Sequence, residues 1–252
     1  MKKSLGQHFI FDTNMLKKII SCSDITPADT VVEIGAGLGT LTKLLAKSSR
    51  RVITIEYDKK LISVLEKNLL SLKNIEIVNA DALKFPFETI EGKFKVCANI
   101  PYYISTPLLF RLLEYKDNVL SMTLLLQKEV AKRIVASPGS KDYGVLSISA
   151  QLNTEPELKF TVSRKVFSPP PEVDSAVVYF RVYPENRFNI INEELFMQVV
   201  KTAFSQRRKT IRNSLKSFEG LKEALEKVDI DPGLRPESLS IEDFSRLSDA
   251  LG

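Results

Sequence analysis

The 252-residue chain contains one histidine, His8, and only two cysteines, Cys22 and Cys97, which lie far apart among apolar or small neighbours. A disulfide framework needs more cysteines than this, and a Cys/His metal centre needs more ligands. No metal is therefore expected, and the two thiols read as inert groups in a reducing compartment. Long apolar runs are missing too. Nothing approaches the roughly 20 apolar residues of a membrane-spanning helix. Residues 1–11 carry Lys2 and Lys3 with no apolar stretch behind them, so the pattern of a secretory signal is absent. Internal repeats and low-complexity tracts are also lacking. These absences lead to the expectation of a cytoplasmic protein with no membrane partner.

What is present suits a globular α/β protein. Hydrophobic residues make up 44% and charged residues 27%, enough to bury a full core. The length allows one large domain with a small appendage. The net charge of +5 says little until its location is known. Short β-rich runs at 31–34, 51–55, 75–78 and 94–98 alternate with helical spacings such as Leu38, Leu41, Leu44 and Leu45. Residues 122–126 form a nearly continuous apolar run, as in a strand buried on both faces. This alternation predicts a parallel sheet covered by helices. Residues 158–162 and 176–182 are strand-like with prolines, not a helix, between them, which predicts an antiparallel pair. After Pro184 the periodicity is purely helical: Leu195, Phe196, Val199, Val200, Ala203 and Phe204 share a face. Ser240 and Asp243 resemble a capping box ahead of Phe244, Leu247 and Leu251. The boundary falls between Pro184 and Phe188, giving domains 1–185 and 186–252.

Gly35, Ala36, Gly37, Leu38 and Gly39 follow the first of these strand runs and open a helix. Glycines there permit a tight turn and close approach of a ligand to the backbone. Glu56 ends the second run, where a carboxylate can accept from both hydroxyls of a ribose. The pair points to an adenosine-containing cofactor without separating a dinucleotide from S-adenosylmethionine. The spacing Gly-x-Gly-x-Gly differs from the Gly-x-Gly-x-x-Gly of dinucleotide sites. Glu33 and Asp81 end strands at the same sheet edge, so four placements converge on one site. Asp81 is a candidate acceptor for an adenine amino group.

Asn99, Ile100, Pro101 and Tyr102 follow the fourth run directly. The exocyclic nitrogen of adenine is a poor nucleophile because its lone pair is delocalised into the ring. The Asn99 side-chain oxygen and the Ile100 carbonyl are placed to accept its two N–H bonds and favour a more tetrahedral nitrogen. Tyr102 offers a stacking face and Pro101 stiffens the turn. Such a reaction needs alignment more than a side-chain base.

The chain resembles the ribosomal RNA adenine N6-dimethyltransferases, and among them most the bacterial small-subunit branch associated with kasugamycin sensitivity. The resemblance is carried nearly end to end by residues 3–9 (KSLGQHF), 32–39 (VEIGAGLG), 99–102 (NIPY), 166–175 (VFSPPPEVDS) and 203–210 (AFSQRRKT). The last two are far more specific than the glycine loop. It implies a Rossmann-like class I methyltransferase sheet of seven strands with its last pair antiparallel, followed by a small all-helical C-terminal domain that recognises RNA. It implies S-adenosylmethionine as cofactor, held by His8, Ile10, Gly35, Gly37, Gly39, Glu56 at the ribose, Asp81 and Ala82 at the adenine, and Asn99 at both cofactor and target. Phe167 is implied as a second aromatic that sandwiches the target base against Tyr102. The implied reaction is N6,N6-dimethylation of two adjacent adenosines in the 3′-terminal hairpin loop of small-subunit ribosomal RNA, within a pre-ribosomal particle and linked to its maturation, by a monomer. His8 and Tyr103 stand where asparagine is frequent in the family.

Lys201, Arg207, Arg208, Lys209, Arg212 and Lys216 fall in a stretch with no acidic residue. It reads as one helical, phosphate-tracking surface, and a target base flipped or unpaired suits an RNA loop. Two other classes remain at this point. A nicotinamide oxidoreductase leaves Asn99 to Tyr102 unexplained, and a catalytically silent RNA-binding factor has no need of Glu56, Asp81 and Asn99. Within the methyltransferases, the large-subunit resistance enzymes are the nearest rivals; residues 166–175 and the helical tail favour the small-subunit branch.

Overall fold

The computed structural model describes residues 7–206 and 208–252. The chain enters through a short strand, β1 (Phe9–Ile10), and turns into α1 (Thr13–Ser21). The Asp12 carboxylate starts that helix by accepting from the backbone N–H groups of Asn14 and Met15 at 2.9 and 3.2 Å, two of the donors a helix start leaves unsatisfied. A βα alternation follows: β2 (Thr30–Ile34), α2 (Thr40–Ser48), β3 (Arg51–Glu56), α3 (Lys59–Leu69), β4 (Ile75–Asn79), β5 (Phe94–Asn99), α4 (Ser105–Leu113) and β6 (Val119–Gln127). All five residues of β2 are buried. Its Thr-Val-Val-Glu-Ile run is rich in β-branched side chains, which suit a pleat covered on both faces.

Two helices, α5 (Lys128–Ile134) and α6 (Val145–Gln151), precede β7 (Thr154–Val162), β8 (Phe167–Ser168) and β9 (Ser175–Val182). The main sheet has the order β4-β3-β2-β5-β6-β9-β7. Its first five strands are parallel, while β9 runs antiparallel to β6 from Ser121↔Arg181 to Gln127↔Ser175. The seven strands and the antiparallel last pair agree with the expectation. The small strands β1 and β8 form a separate ribbon, Phe9 opposite Ser168 and Ile10 opposite Phe167. Chain order reverses on the two sides of β2, with β3 and β4 to one side and β5 and β6 to the other. Ligands of such sheets bind beyond the carboxyl ends of the strands at that reversal.

The remaining helices are α7 (Glu193–Phe204), α8 (Ile211–Ser214), α9 (Leu221–Lys227) and α10 (Ile241–Leu251). The Ser240–Asp243 capping box is present at α10, with N–H groups and side chains bonded reciprocally at 3.0 and 2.9 Å. Phe196, Val199, Val200 and Ala203 of α7 share a core with Phe244 and Leu247 of α10.

Two expectations about this half need correction. The chain divides into one compact unit of residues 1–131 and 155–184 and another of 132–154 and 185–252. The break near Pro184 is legible in the sequence, but residues 132–154 do not belong to the sheet domain in which their position places them. They join the helical unit because Tyr143, Ile148 and Leu152 are buried in its core, and each large apolar side chain so buried contributes about 1.5–3 kcal/mol. The basic stretch is not one helix either. The helix α7 stops at Phe204, residues 205 and 206 turn, and α8 begins only after Thr210, whose backbone is extended. The Ser205 hydroxyl donates to the Thr202 carbonyl and the Ile211 N–H to the Leu234 carbonyl, so the backbone there bonds outside a continuous helical ladder.

Candidate active site

The carboxyl ends of β2, β3, β4 and β5 open into a cavity of about 740 Å³. His8, Ile10, Gly35, Gly37, Glu56, Asp81, Ala82, Asn99, Ile100, Pro101 and Tyr102 all line it, so eleven expected site residues are brought together.

The glycine loop is shaped by contacts that exclude side chains. Gly37 has φ +58°, and a Cβ on it would lie 2.7 Å from the ring of Phe9. The N-terminal strand thus packs directly on the loop, and only glycine permits it. Gly39 has another task. It begins α2 at φ +80°, faces Leu65 and Leu69, and does not line the cavity. Its expected cofactor contact is therefore corrected to helix start and packing: the turn into α2 points it away from the site.

Glu56 is only 5% exposed, yet it reaches the cavity. One carboxylate oxygen accepts from the Gly37 N–H at 3.0 Å and the other from the Asp58 N–H at 2.8 Å. Each oxygen keeps a second lone pair for a hydroxyl, and the loop and the carboxylate hold one another in place. Asn79 steadies the same corner by donating from its amide to the carbonyls of Glu56 and Tyr57 at 2.8 and 3.3 Å. Asp81 accepts from the Leu83 N–H at 3.0 Å through Oδ1, leaving Oδ2 without a partner among the described residues.

Sequence reasoning placed Glu33 at this edge but missed its surroundings. It is 1% exposed, and one of its oxygens accepts from the Thr42 hydroxyl at 2.5 Å and the Thr54 hydroxyl at 3.2 Å. Burial pushes its carboxyl up to about 7, with the negative charge of Glu56 adding to the effect and the two threonines opposing it. A threonine one turn into α2 and another inside β3 were the available signals.

Asn99 follows from the end of β5. Its Nδ2 donates to the His8 carbonyl at 3.0 Å, which leaves Oδ1 as the acceptor of the amide. His8 is held in turn by Nδ1, which donates to the Pro169 carbonyl at 2.8 Å. Tyr102 opens the 3₁₀ turn Tyr102–Ile104. Its phenol lies 2.6 Å from the Ser175 hydroxyl, and its ring centroid is 5.9 Å from that of His8 at 32°. Burial raises the Tyr102 pKa, so the phenol stays neutral.

Phe167 is not at the site. It is 4% exposed and packs in the core with Ile10, its partner across the β1–β8 ribbon, and the cavity lining does not include it. Its expected stacking on a target base is corrected on burial alone: at 4% exposure no ring face is open to a base. Among the described residues no group of three or more His, Cys, Asp or Glu is arranged to hold a metal, and no helix is long and apolar enough to cross a membrane.

A reversal-point cavity with a glycine loop, a ribose-type carboxylate and Asn-Ile-Pro-Tyr after the fourth parallel strand defines a class I methyltransferase. The residues fit an adenosine sulfonium cofactor: Gly35 and Gly37 line the cavity without side chains, Glu56 and Asp81 keep acceptor capacity free, and the volume is about 740 Å³. A solved dimethyladenosine transferase from Plasmodium falciparum superposes with a TM-score of 0.81 at 30% identity, covering 95% of this chain and 96% of that one. The 23S rRNA methyltransferase ErmE superposes at 0.78 with 28% identity over 96% and 99%. Curated relatives named ribosomal RNA small subunit methyltransferase A are 44% identical in Bacillus cytotoxicus, over 99% of this chain and 91% of the relative, and 44% identical in Caldanaerobacter subterraneus, over 99% and 97%. The ribosomal RNA adenine dimethylase family matches residues 1–251, and the chain belongs to it. It is accordingly an S-adenosylmethionine-dependent enzyme.

Proposed function

We propose that the chain dimethylates N6 of two adjacent adenosines in the 3′-terminal hairpin loop of small-subunit ribosomal RNA, working as a cytoplasmic monomer on a pre-ribosomal particle. The observation that carries the chemistry is the anchored amide of Asn99: with Nδ2 engaged by the His8 carbonyl, its Oδ1 is committed to accepting. The names of the curated relatives support the small subunit as the RNA source.

Bound in the cavity, S-adenosylmethionine supplies an electrophilic methyl group on a sulfonium. Glu56 accepts from its ribose and the unpartnered Asp81 oxygen from its adenine. At the target, Asn99 Oδ1 and the Ile100 carbonyl accept the two N–H bonds of the amine and Tyr102 presents its ring to the base. The nitrogen lone pair is thereby freed from the ring for transfer, and one proton leaves to water afterwards. Alignment supplies the rate enhancement, since the leaving group is already activated. A second transfer uses the same acceptor, because one N–H remains after the first.

Lys201, Arg208, Lys209, Arg212 and Lys216 are exposed, and none forms an ion pair among the described residues; Arg207 lies outside them. We assign this surface to RNA phosphates. Incubation with tritiated S-adenosylmethionine and under-methylated small subunits, followed by mapping, should label two neighbouring adenosines, and mass spectrometry should find the dimethyl form. Label elsewhere, or monomethyladenosine alone at completion, would overturn the assignment. Reversing Arg208 and Arg212 to Glu should lower the slope of log affinity against log salt by about 0.7 to 0.9 for each phosphate no longer neutralised. An unchanged slope would move the RNA surface elsewhere.

A further inference from the structure

Two large aromatic side chains stand open at the rim of the cavity. Tyr57 and Tyr103 are each 60% exposed, and both line it. Tyr57 follows Glu56 directly, and Tyr103 follows Tyr102 within the same 3₁₀ turn. Successive residues of a 3₁₀ turn point about 120° apart, so two adjacent tyrosines serve different sides. Tyr102 turns to Ser175 and His8, beside Asn99. Tyr103 points to another side of the turn and lines the cavity together with Tyr57, Asp81 and Ala82; desolvation of its phenol raises its pKa, with the negative charge of Asp81 adding to the effect. It thus shares the cavity wall with Asp81, whose charge acts on it, while the Tyr102 phenol is taken up by Ser175.

We propose that Tyr103 is an affinity-determining residue for the adenine end of the cofactor, its ring and that of Tyr57 walling the edge where Asp81 follows β4. Exposed aromatic area beside a base-recognising carboxylate is surface that a purine can cover, and ring faces stack on bases without regard to their hydrogen-bonding edges. The inference rests on the placement of ribose at Glu56 and adenine at Asp81. Because Tyr103 is 60% exposed and not among the buried core residues, its truncation removes little packing.

The test measures binding of S-adenosylhomocysteine and of 5′-methylthioadenosine, which lacks the amino-acid end, by calorimetry. Tyr103→Ala should weaken both by a similar factor, about five- to fifty-fold, while Tyr103→Phe retains wild-type affinity. Tyr103→Leu, which keeps bulk without a flat π face, should fall between them and stands in if the alanine variant misfolds. Unchanged affinity in the alanine variant would overturn the proposal. So would a loss confined to S-adenosylhomocysteine, or an equal loss in Tyr103→Phe. Glu56→Ala is the control for the underlying site: if it too binds normally, the placement of the cofactor fails, whereas loss at Glu56 with none at Tyr103 refutes the Tyr103 role alone.

Discussion

Replacing Glu33 by Gln should remove a dependence of stability on pH that the wild-type protein carries. Glu33 is wholly buried, and its carboxyl is pushed from the usual 4.5 up to about 7, chiefly by burial. In the unfolded chain the carboxyl returns to its usual value, so between those two pH values the folded state binds the extra proton. Stability from this group is therefore fully present below about pH 4.5 and is lost as pH rises through 7. At 1.36 kcal/mol for each tenfold change in proton affinity, the loss is on the order of 3 kcal/mol. Gln has the same shape and keeps an acceptor for the Thr42 and Thr54 hydroxyls, but it has no proton to lose. Urea unfolding of both proteins at half-unit steps from pH 4.5 to 8 isolates the effect, because every other titrating group is common to both. The wild-type curve should fall relative to that of Glu33→Gln by roughly that amount, most steeply below pH 7. Parallel curves would show that Glu33 is ionised in the folded protein at pH 5 and that the two threonine hydroxyls offset its burial.

Other substitutions test the rest of the site. Asn99→Ala should abolish methyl transfer while S-adenosylhomocysteine affinity falls only slightly, read by single-turnover kinetics and calorimetry; an active variant would remove the amine-orienting role. Glu56→Ala should weaken cofactor binding by about 1–3 kcal/mol, as expected for removal of a charge-assisted hydrogen bond, and should also loosen the loop held through Gly37. Gly37→Ala should raise the KM for cofactor and increase proteolysis near residues 7–10, since its Cβ collides with Phe9 at 2.7 Å and its φ of +58° is strained for alanine. Ser240→Ala should cost about 1 kcal/mol of stability through loss of the α10 cap, measured by chemical denaturation with activity intact.

The strands and the site corner are legible because they follow local rules. Runs such as Thr-Val-Val-Glu-Ile are β-branched and apolar enough to announce buried strands, and carboxyl-end positions follow once strand ends are known. Asn99 and Glu56 emerge in that way. What escapes the sequence depends on register and tertiary packing. Phe167 sits beside a proline run, as an exposed stacking residue would, and only its packing in an apolar cluster with Leu16, Val162 and Val177 buries it. Gly39 shares a motif with two cavity glycines but serves the start of α2. Residues 132–154 follow a strand in sequence, yet Tyr143, Ile148 and Leu152 find their apolar partners more than 40 positions later, around Phe196 and Phe244. The basic stretch has helical composition, yet α7 ends at Phe204 and the Ile211 N–H that starts α8 bonds to Leu234, a partner that no local pattern reveals.

The ribbon of β1 and β8 bears on the order in which the site is assembled. The His8–Pro169 hydrogen bond spans 161 positions, and closing so long a loop costs roughly 4–5 kcal/mol of chain entropy beyond a constant. Contacts of that span form late, after the more local βα pairings have drawn the two ends together. During synthesis, Asn99 and the glycine loop emerge and take their places in the sheet well before the segment around Pro169 exists to fasten His8. Until then the Asn99 amide lacks its fixed carbonyl partner and the roof of the cavity is unsecured. A nascent chain halted before residue 167 should therefore fold much of its parallel sheet yet hold no cofactor, so that cofactor capture reports completion of the domain.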